Sequence, residues 1–532
     1  MPAPVTDLGL SRRPQGLKSA APQVHKRPVR VSARPELARA RIGAPMAQAV
    51  FPQSMSRERD GPGPLCVDEQ SAAAWAEEFS RGYQKPEEGD SLCFAPHHLF
   101  DLLEARGGMP APVKLMRGSF LLERAEQLRQ ARNDTDRSLL RLPRRQELPE
   151  SAFLSAAQVR ALPRGHVGIP GTSCLPWRDE PEERPLRLIS ISHGWLTPAH
   201  PDPLGQQLMN FADLFESQQQ QSWSCYCVLC FGGLPQGCFC GIPYAGQQCC
   251  NSARQFPSGE FAVFYDWGSL MQKDEKGERT PEERAAFSTA LDTMGIWYAH
   301  RLTTTYILAV LPEGWPKTPD AAPFFPPGWL LSKGWPSFER AVSSMIKRAE
   351  TYSWSRIVIA RANIMHRVPP QSPYRFAAAL ARKTFSNNAD QSLVAKLYAD
   401  SLHDAIGNAS TLAFHFCDWR DADAVQLAEI IPFARAMKRL DLHGNPLVGS
   451  IGLDAIAEAI GDGAAPLLEE LTFDPGWGSK ATQLRAACKE RQITVGIRKD
   501  VQLSKRWAAR HSPLAAADES VSGANIEILS LK

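Results

Sequence analysis

Short apolar runs alternate with amphipathic stretches between residues 184 and 365. The runs have the length and the β-branched or aromatic content of buried strands, whereas the stretches between them have helical spacing. Continuous apolar strands separated by helices are typical of a parallel sheet that is covered on both faces. The pattern therefore predicts an α/β domain. Its predicted strands are Leu186–Ser192, Phe261–Tyr265, Thr304–Leu311 and Arg356–Ala360.

The clearest helix signal in this region is Thr280-Pro-Glu-Glu283. A threonine N-cap, a proline at the first helical position and a glutamate three residues after the cap form a capping box. An earlier helix is predicted over Leu204–Phe215, after the first strand. The buried face of the helix that begins at Thr280 is predicted to contain Phe287, Leu291, Met294 and Tyr298.

Residues 66–165 have helical rather than strand periodicity. Ser155 and Gln158 have the spacing of a capping box for a short helix. No pattern of catalytic residues lies in this segment, so we expect a helical packing region or adaptor. Its other predicted helices are Ser71–Tyr83, Pro96–Ala105 and Val113–Gln130.

A repeat extends over roughly residues 408–500. Leu412-Ala-Phe414 followed by Cys417 returns 28 residues later as Leu440-Asp-Leu442 followed by Asn445, and Leu471-Thr-Phe473 forms a weaker copy 31 residues further on. Alanine-rich helical segments separate the copies. They are predicted over Asp423–Ile431 and Leu453–Ile460, with a last strand over Ile493–Ile497.

One strand and one helix per copy resembles a short array of leucine-rich repeats of the ribonuclease-inhibitor type. The resemblance rests mainly on the stretch from Met437 to Asn445. It implies that the leucines point into the core and that Asn445 bridges neighbouring turns through backbone hydrogen bonds. It also implies that the array binds a protein partner.

The length of 532 residues leaves room for about two to four domains, and the hydrophobic content of 43% supports buried cores. The net charge of +3 gives no reason to expect nucleic-acid binding. The longest apolar runs, such as Tyr306–Leu311, are much shorter than a membrane span. These observations predict a soluble multidomain protein.

The basic residues are concentrated at the N-terminus, where residues 1–55 contain nine Lys and Arg residues against Asp7 and Glu36. Frequent alanine and proline and little periodicity predict that residues 1–65 form a disordered basic tail. The protein is expected to be cytoplasmic. The alternative is an Arg-rich transit peptide for an organelle. Residues 166–183 are predicted to be a linker, and residues 505–532 a polar tail.

Seven of the twelve cysteines lie between Cys225 and Cys250, inside a predicted insertion over residues 217–255. Without a secretory signal, a reducing compartment is the default and structural disulfides are not expected. Closely spaced thiolates can bind zinc, but paired Cys-x-x-Cys motifs are missing. The alternative is an exposed insertion without a metal. The candidate zinc ligands are Cys225, Cys227, Cys230, Cys238 and Cys240.

Three motifs of the α/β region resemble a Toll/interleukin receptor (TIR) domain. Ile189–Ser192 and the polar turn after it resemble the first strand of the family, and Val263–Asp266 resembles the second strand with its terminal aspartate. Gly334–Glu339 resembles the Trp-Cys-x-x-Glu helix start, with Pro336 in place of the cysteine. The resemblance spans residues 184–365 and implies a flavodoxin-like parallel sheet.

In TIR domains that are enzymes, the helix glutamate contacts the nicotinamide ribose of NAD and supports cleavage of the glycosidic bond, a role that falls here on Glu339. A carboxylate stabilises the oxocarbenium-like transition state, and aromatic rings can stack on the bases. NAD would then be the substrate, and no other cofactor is indicated. The implied NAD-binding residues are His193, Trp195, Asp266, Trp267 and Trp335.

Two alternatives stay open for Glu339. The helix dipole favours a glutamate in a first turn whatever the protein does. Many TIR domains are scaffolds that associate with one another without catalysis. The loop over Ser269–Glu283 is also longer than in the family, where this loop contributes both to the pocket and to contacts between domains.

The sequence therefore predicts a signalling or interaction protein in which the repeats bind a protein partner and the TIR-like domain self-associates. The alternative function is an NAD glycohydrolase. Of the remaining histidines, His300 and His366 are predicted to lie at the surface or at a boundary.

Overall fold

The computed structural model describes an α/β protein with a mixed sheet and a separate parallel sheet. The predicted basic tail, the linker, the candidate zinc-binding cysteines, His366 and the polar C-terminal tail lie outside the described residues. The described residues are 91–164, 185–221, 259–315, 329–347, 357–359, 367–385, 387, 389–415 and 417–497.

The first sheet has six strands in the order β2-β1-β4-β3-β5-β6. Its last four strands are parallel, and Ile189 of the central strand pairs with Val263 on one side and with Thr304 on the other. Counted along the chain, the parallel strands follow the order 2-1-3-4, as the first four strands of a flavodoxin-like sheet do. The strands are β1 Leu115–Arg117, β2 Phe153–Leu154, β3 Leu188–Ser192, β4 Ala262–Phe264, β5 Thr304–Ile307 and β6 Ile357–Ile359.

Helices cover both faces of this sheet, because alternate residues of β3 belong to different cores. Ile189 packs with Phe211 in one core, whereas Leu188 belongs to another that contains Trp297. The predicted capping boxes at Ser155 and Thr280 are confirmed. The helices are α1 His97–Asp101, α2 Gly118–Gln130, α3 Asp134–Leu140, α4 Ala156–Ala161, α5 Gln206–Gln221, α6 Asp266–Ser269, α7 Pro281–Asp292, α8 Met294–Ala299 and α9 Gly334–Ser343.

The prediction of one helix over Val113–Gln130 is wrong at its start. Residues 115–117 form β1, which pairs antiparallel with β2 and β4, and α2 begins only at Gly118. A Cβ atom at position 118 would lie 2.2 Å from the Phe261 ring, so the glycine permits this close approach. Residues 91–164 are therefore not a purely helical region, because two of their segments complete the sheet. A short apolar run has no periodicity that separates a strand from a helix.

His300 is fully buried, which contradicts its predicted surface or boundary position. It follows α8, a helix whose six residues are all buried, and its Nδ1 atom accepts a hydrogen bond from the Leu302 amide at 3.0 Å. A helix that is apolar on every side lies inside the protein. The same burial explains why Met294 and Tyr298 are core residues, while Phe287 in the preceding helix is only half-buried.

Two helices that the sequence analysis did not predict connect the two sheets. They are α10, Pro373–Leu380, and α11, Asp390–Asn408. The rings of Phe376 and Tyr398 stack at 3.7 Å between centroids, which joins the two helices. Helix α11 also packs on α8 and α9, so one apolar core continues from the first sheet into the second.

The second sheet has four parallel strands in the order β10-β9-β8-β7. Leu412 pairs with Leu440, and Leu440 pairs with Leu471. The spacing between copies of the repeat therefore places equivalent residues beside each other in adjacent strands. The strands are β7 Thr411–Ala413, β8 Arg439–Asp441, β9 Glu470–Phe473 and β10 Thr494–Ile497, and the helices are α12 Asp421–Ala428, α13 Ser450–Gly461 and α14 Thr482–Glu490.

Asn445 connects two successive strand–helix units. Its Oδ1 atom accepts hydrogen bonds from the amides of Cys417 at 3.1 Å and Trp419 at 3.2 Å. Its Nδ2 atom donates to the carbonyls of Phe414 at 2.8 Å and Leu442 at 2.9 Å. This is the backbone bridge that the leucine-rich-repeat resemblance implies, and Asn445 is only 1% exposed.

Within the described part of the chain, no helix combines the length and apolarity that crossing a bilayer requires.

Asn445→Ala is expected to lower the free energy of unfolding by about 2–4 kcal/mol, because it leaves several buried backbone groups without partners. Urea unfolding followed by circular dichroism measures this loss. Asn387→Ala is the matched control, since that amide is exposed, and its cost should stay below about 1 kcal/mol. Equal losses in the two variants would contradict the bridging role of Asn445.

Candidate functional site

A buried polar cluster lies where β3 and β4 end. His193 follows β3, and Asp266 is the first residue of α6, directly after β4. His193 Nε2 and Asp266 Oδ1 are 2.8 Å apart. Because β3 and β4 are adjacent and parallel, their carboxyl ends meet at one edge of the sheet, which brings these two side chains together.

Asp266 accepts further hydrogen bonds from two tryptophans. Its Oδ2 atom receives the Trp195 indole N–H at 3.3 Å, and its Oδ1 atom receives the Trp267 backbone N–H at 2.6 Å. These donors stabilise the ionised carboxylate. Asp266 is therefore held in place from three directions.

His193 and Asp266 stabilise each other's charge. Burial by itself lowers the pKa of His193, but the charge and hydrogen bond of Asp266 outweigh burial and raise that pKa. Burial likewise raises the pKa of Asp266, and the charge and hydrogen bond of His193 lower it below its ordinary value. The two opposite shifts favour an ion pair in which the His193 side chain is buried and the Asp266 side chain is 25% exposed.

Glu339 of α9 lies next to this pair and is 6% exposed. Burial, together with the negative charge of Asp266, raises the pKa of its carboxyl to about 8 against the opposing effects of Ser192, His193 and Tyr298. In the described residues, no partner is in hydrogen-bonding geometry with Glu339 Oε2 or Ser192 Oγ. The carboxyl is consequently neutral at pH 7, because His193 can compensate only one of two neighbouring carboxylates.

Two tyrosines enclose the cluster. The Tyr265 ring lies 4.6 Å from the His193 ring between centroids, and the Tyr298 hydroxyl donates to the Ile191 carbonyl at 3.0 Å. Burial raises the pKa of both phenols well above the ordinary value, and Glu339 raises that of Tyr298 further. Both hydroxyls thus remain protonated. The two uncharged tyrosine side chains form a largely apolar wall of the cluster.

Asp202 and His200 form a second polar layer behind the cluster. Burial raises the pKa of Asp202 to about 6, although the Leu208 amide donates to its Oδ2 atom at 2.9 Å. Burial lowers the pKa of His200 to about 4, and His200 Nε2 lies 3.0 Å from the Leu142 carbonyl. Sequence reasoning did not assign these two residues to a site.

The predicted NAD-binding residues fall into two groups. His193, Trp195 and Asp266 lie together with Glu339. Trp267 packs edge-on against Trp195, with the ring centroids 5.5 Å apart, whereas Trp335 bonds to a different helix. The Trp267 indole donates to the Leu142 carbonyl at 2.9 Å inside a core, and the Trp335 indole donates to Asp390 Oδ2 of α11 at 3.0 Å.

Sequence reasoning missed Ser192, Tyr265 and Tyr298 as neighbours of Glu339. Ser192 and Tyr265 adjoin His193 and Asp266 along the chain, so the strand ends themselves were a usable signal. Tyr298 was predicted only as a core residue of a helix. Its position beside Glu339 depends on the packing of α8 against α9, which no local pattern specifies.

The fold and this cluster define an α/β protein with a buried His–Asp–Glu group at the carboxyl edge of a mixed sheet. No protein-family model matches the chain, and neither a curated protein sequence nor a solved structure matches it. The TIR resemblance, the leucine-rich-repeat resemblance and the roles of the candidate site residues therefore stay predictions.

The neutral state of Glu339 predicts a pH-dependent stability. With a folded pKa of about 8 against 4.5 for an ordinary carboxyl, the folded chain binds more protons than the unfolded chain between these values. The contribution of Glu339 to the free energy of unfolding is thus fully present below about pH 4.5. It is lost as the pH rises through about 8, at a rate of at most about 1.4 kcal/mol per pH unit.

Glu339→Gln removes this titration while keeping the size and polarity of the side chain. The free energy of unfolding of the variant, relative to the parent chain, should increase by about 2 kcal/mol between about pH 5.5 and about pH 7.5. Urea titrations at several pH values measure the difference. Glu458→Gln alters an exposed glutamate and should leave the dependence of stability on pH unchanged. If the difference in unfolding free energy between Glu339→Gln and the parent chain does not vary with pH, Glu339 is not neutral in the folded chain.

Proposed function

We propose that this chain is an interaction and assembly protein for signalling. In this proposal the strand–helix repeats bind a protein partner, and the α/β portion is a TIR-like domain that self-associates. The main observation in support of this proposal is that Glu339 is buried and neutral.

The topology supports the TIR-like interpretation. The parallel strands follow the order 2-1-3-4, and Asp266 comes directly after the second of them. The stretch that resembles the family's Trp-to-Glu helix start forms the first six residues of α9, and Glu339 lies in the second turn of that helix, near Asp266. The order and the spatial grouping of these motifs agree with the family pattern.

The state of Glu339 favours assembly over catalysis. A carboxylate stabilises an oxocarbenium-like transition state through its negative charge. Glu339 is buried, and its pKa of about 8 leaves the carboxyl neutral at pH 7. A neutral, buried glutamate beside His193 and Tyr298 fits a structural role better than a catalytic one.

Exposed apolar side chains support a partner-binding role for the repeats. Of the six large hydrophobic residues that are exposed in the described part of the chain, three lie in this array. Leu447 is 51% exposed just before α13, and Ile451 is 68% exposed in the first turn of that helix. Neighbouring exposed apolar residues are typical of a protein-interaction surface.

The double variant Leu447→Ser/Ile451→Ser is expected to lose the partner while it keeps its fold, because both side chains are exposed. Affinity purification with quantitative mass spectrometry measures which proteins the parent chain retains. Leu139→Ser is the matched control, since Leu139 is 80% exposed but lies in α3, outside the repeats. Equal partner recovery from both variants would remove the support for this surface.

A second candidate function, NAD glycohydrolysis, is favoured by the grouping of His193, Asp266 and Glu339 at the carboxyl edge of the parallel strands. Ligands of α/β proteins commonly bind at this edge. Strongly shifted pKa values also occur often at functional sites. In this alternative, Glu339 would hold the ribose hydroxyls of NAD and act as an anion after losing its proton.

The two functions differ in a nicotinamide-release assay with the full chain and NAD. The assembly proposal predicts that NAD stays intact at pH 7, at both low and high protein concentration. Turnover that increases as the pH rises through about 8 would support the enzyme, because Glu339 ionises over that interval. That activity should disappear in Glu339→Gln and persist in Glu458→Gln.

A further inference from the structure

Two histidines and an aspartate meet at the carboxyl ends of β7 and β8. His415 and His443 are 28 residues apart, which is also the offset of the paired residues Leu412 and Leu440. They therefore occupy equivalent positions in successive strand–helix units. Their rings lie 5.0 Å apart between centroids, at an interplanar angle of 18°.

Asp441 lies on the same face of the sheet as His443, because it precedes that residue by two positions and side chains alternate along a strand. Its Oδ1 atom is 2.7 Å from His443 Nδ1, and its Oδ2 atom is 3.4 Å from His415 Nδ1. One carboxylate thus contacts two imidazoles from neighbouring units. All three residues are at most 8% exposed.

The three donor atoms form a compact set, since one ligand atom from each residue lies within 4.8 Å of the others. Tetrahedral zinc with ligand bonds of about 2.0–2.2 Å places its ligand atoms about 3.3 Å apart. The separation of 3.4 Å between His415 and Asp441 already fits this geometry. His443 Nδ1 lies 2.7 Å from the other carboxylate oxygen, Asp441 Oδ1, and this contact must open by about 0.6 Å when the ion binds.

The donor types select the class of ion. Imidazole nitrogen together with a carboxylate suits zinc and other divalent first-row transition metals. Calcium and magnesium prefer sites made of oxygen ligands. A divalent cation would also compensate the negative charge of Asp441, whose carboxylate lies between the two imidazoles in a buried cluster.

We propose that His415, Asp441 and His443 bind one divalent transition-metal ion of the zinc class. The ion joins the first two strand–helix units, because His415 follows β7, while Asp441 ends β8 and His443 follows it. Binding at Nδ1 places the proton of each imidazole on Nε2. This site is separate from the His193–Asp266–Glu339 cluster, and it does not depend on the function proposed for that cluster.

The test uses the full chain with a background that removes competing thiolates. In this background, serine replaces Cys225, Cys227, Cys230, Cys238, Cys240, Cys249 and Cys250.

Isothermal titration with Zn²⁺ should give one equivalent of metal per chain in the cysteine-depleted background. His443→Gln and Asp441→Asn should each weaken binding by at least about 10-fold, because each removes a ligand. His97→Gln removes an exposed imidazole of α1 and should bind as the background does. Absence of stoichiometric binding, or the same affinity in the His443→Gln variant, would overturn the proposal.

A second measurement does not depend on the folding of the ligand variants. X-ray absorption of the zinc-loaded background chain should show a nitrogen and oxygen shell with scattering from two imidazoles. A shell without imidazole scattering would reject the site even if zinc binds. Zinc should also raise the Tm of the background chain by a few degrees at saturating concentration, since it binds the folded state.

Discussion

The pairing of β3 with β4 on one side and β5 on the other is the interaction on which the candidate site depends. All five residues of β3 are buried, and Ile189 lies in register with Val263 and Thr304. Because the three strands are parallel, their carboxyl ends meet at one edge. His193 and Asp266 meet there although they are far apart in the sequence. Packing of α9 on β3 brings Glu339 to the same edge.

Burial then determines the charges at this edge. One histidine stabilises one carboxylate, so His193 and Asp266 favour an ion pair while Glu339 retains its proton. Breaking a buried pair by removing one partner leaves an uncompensated charge, which is strongly destabilising. The cluster is therefore a structural element of the fold whether or not a ligand uses it. This also explains why the same residues are compatible with an assembly domain and with an enzyme.

Parallel register organises the second sheet in the same way. A separation of 28 residues places Leu412 beside Leu440 in the core and His415 beside His443 on the other face. Asn445 forms hydrogen bonds with backbone groups in the turn that follows β7. Helix α11 connects this array to α8 and α9, so the repeats and the first sheet share a core. The repeats are consequently not an independent module behind a flexible linker.

The sequence by itself determined the elements with strong local signals: the parallel strands, the capped helices at Ser155 and Thr280, and the repeat with its Asn445 bridge. Capping and periodicity act over a few residues, so they can be read locally. Only the tertiary structure decided that Leu115–Arg117 is a strand, that His300 is buried, and that Trp335 contacts α11. It also decided the neutrality of Glu339 and the meeting of His415 with Asp441, because both depend on neighbours that are distant in sequence.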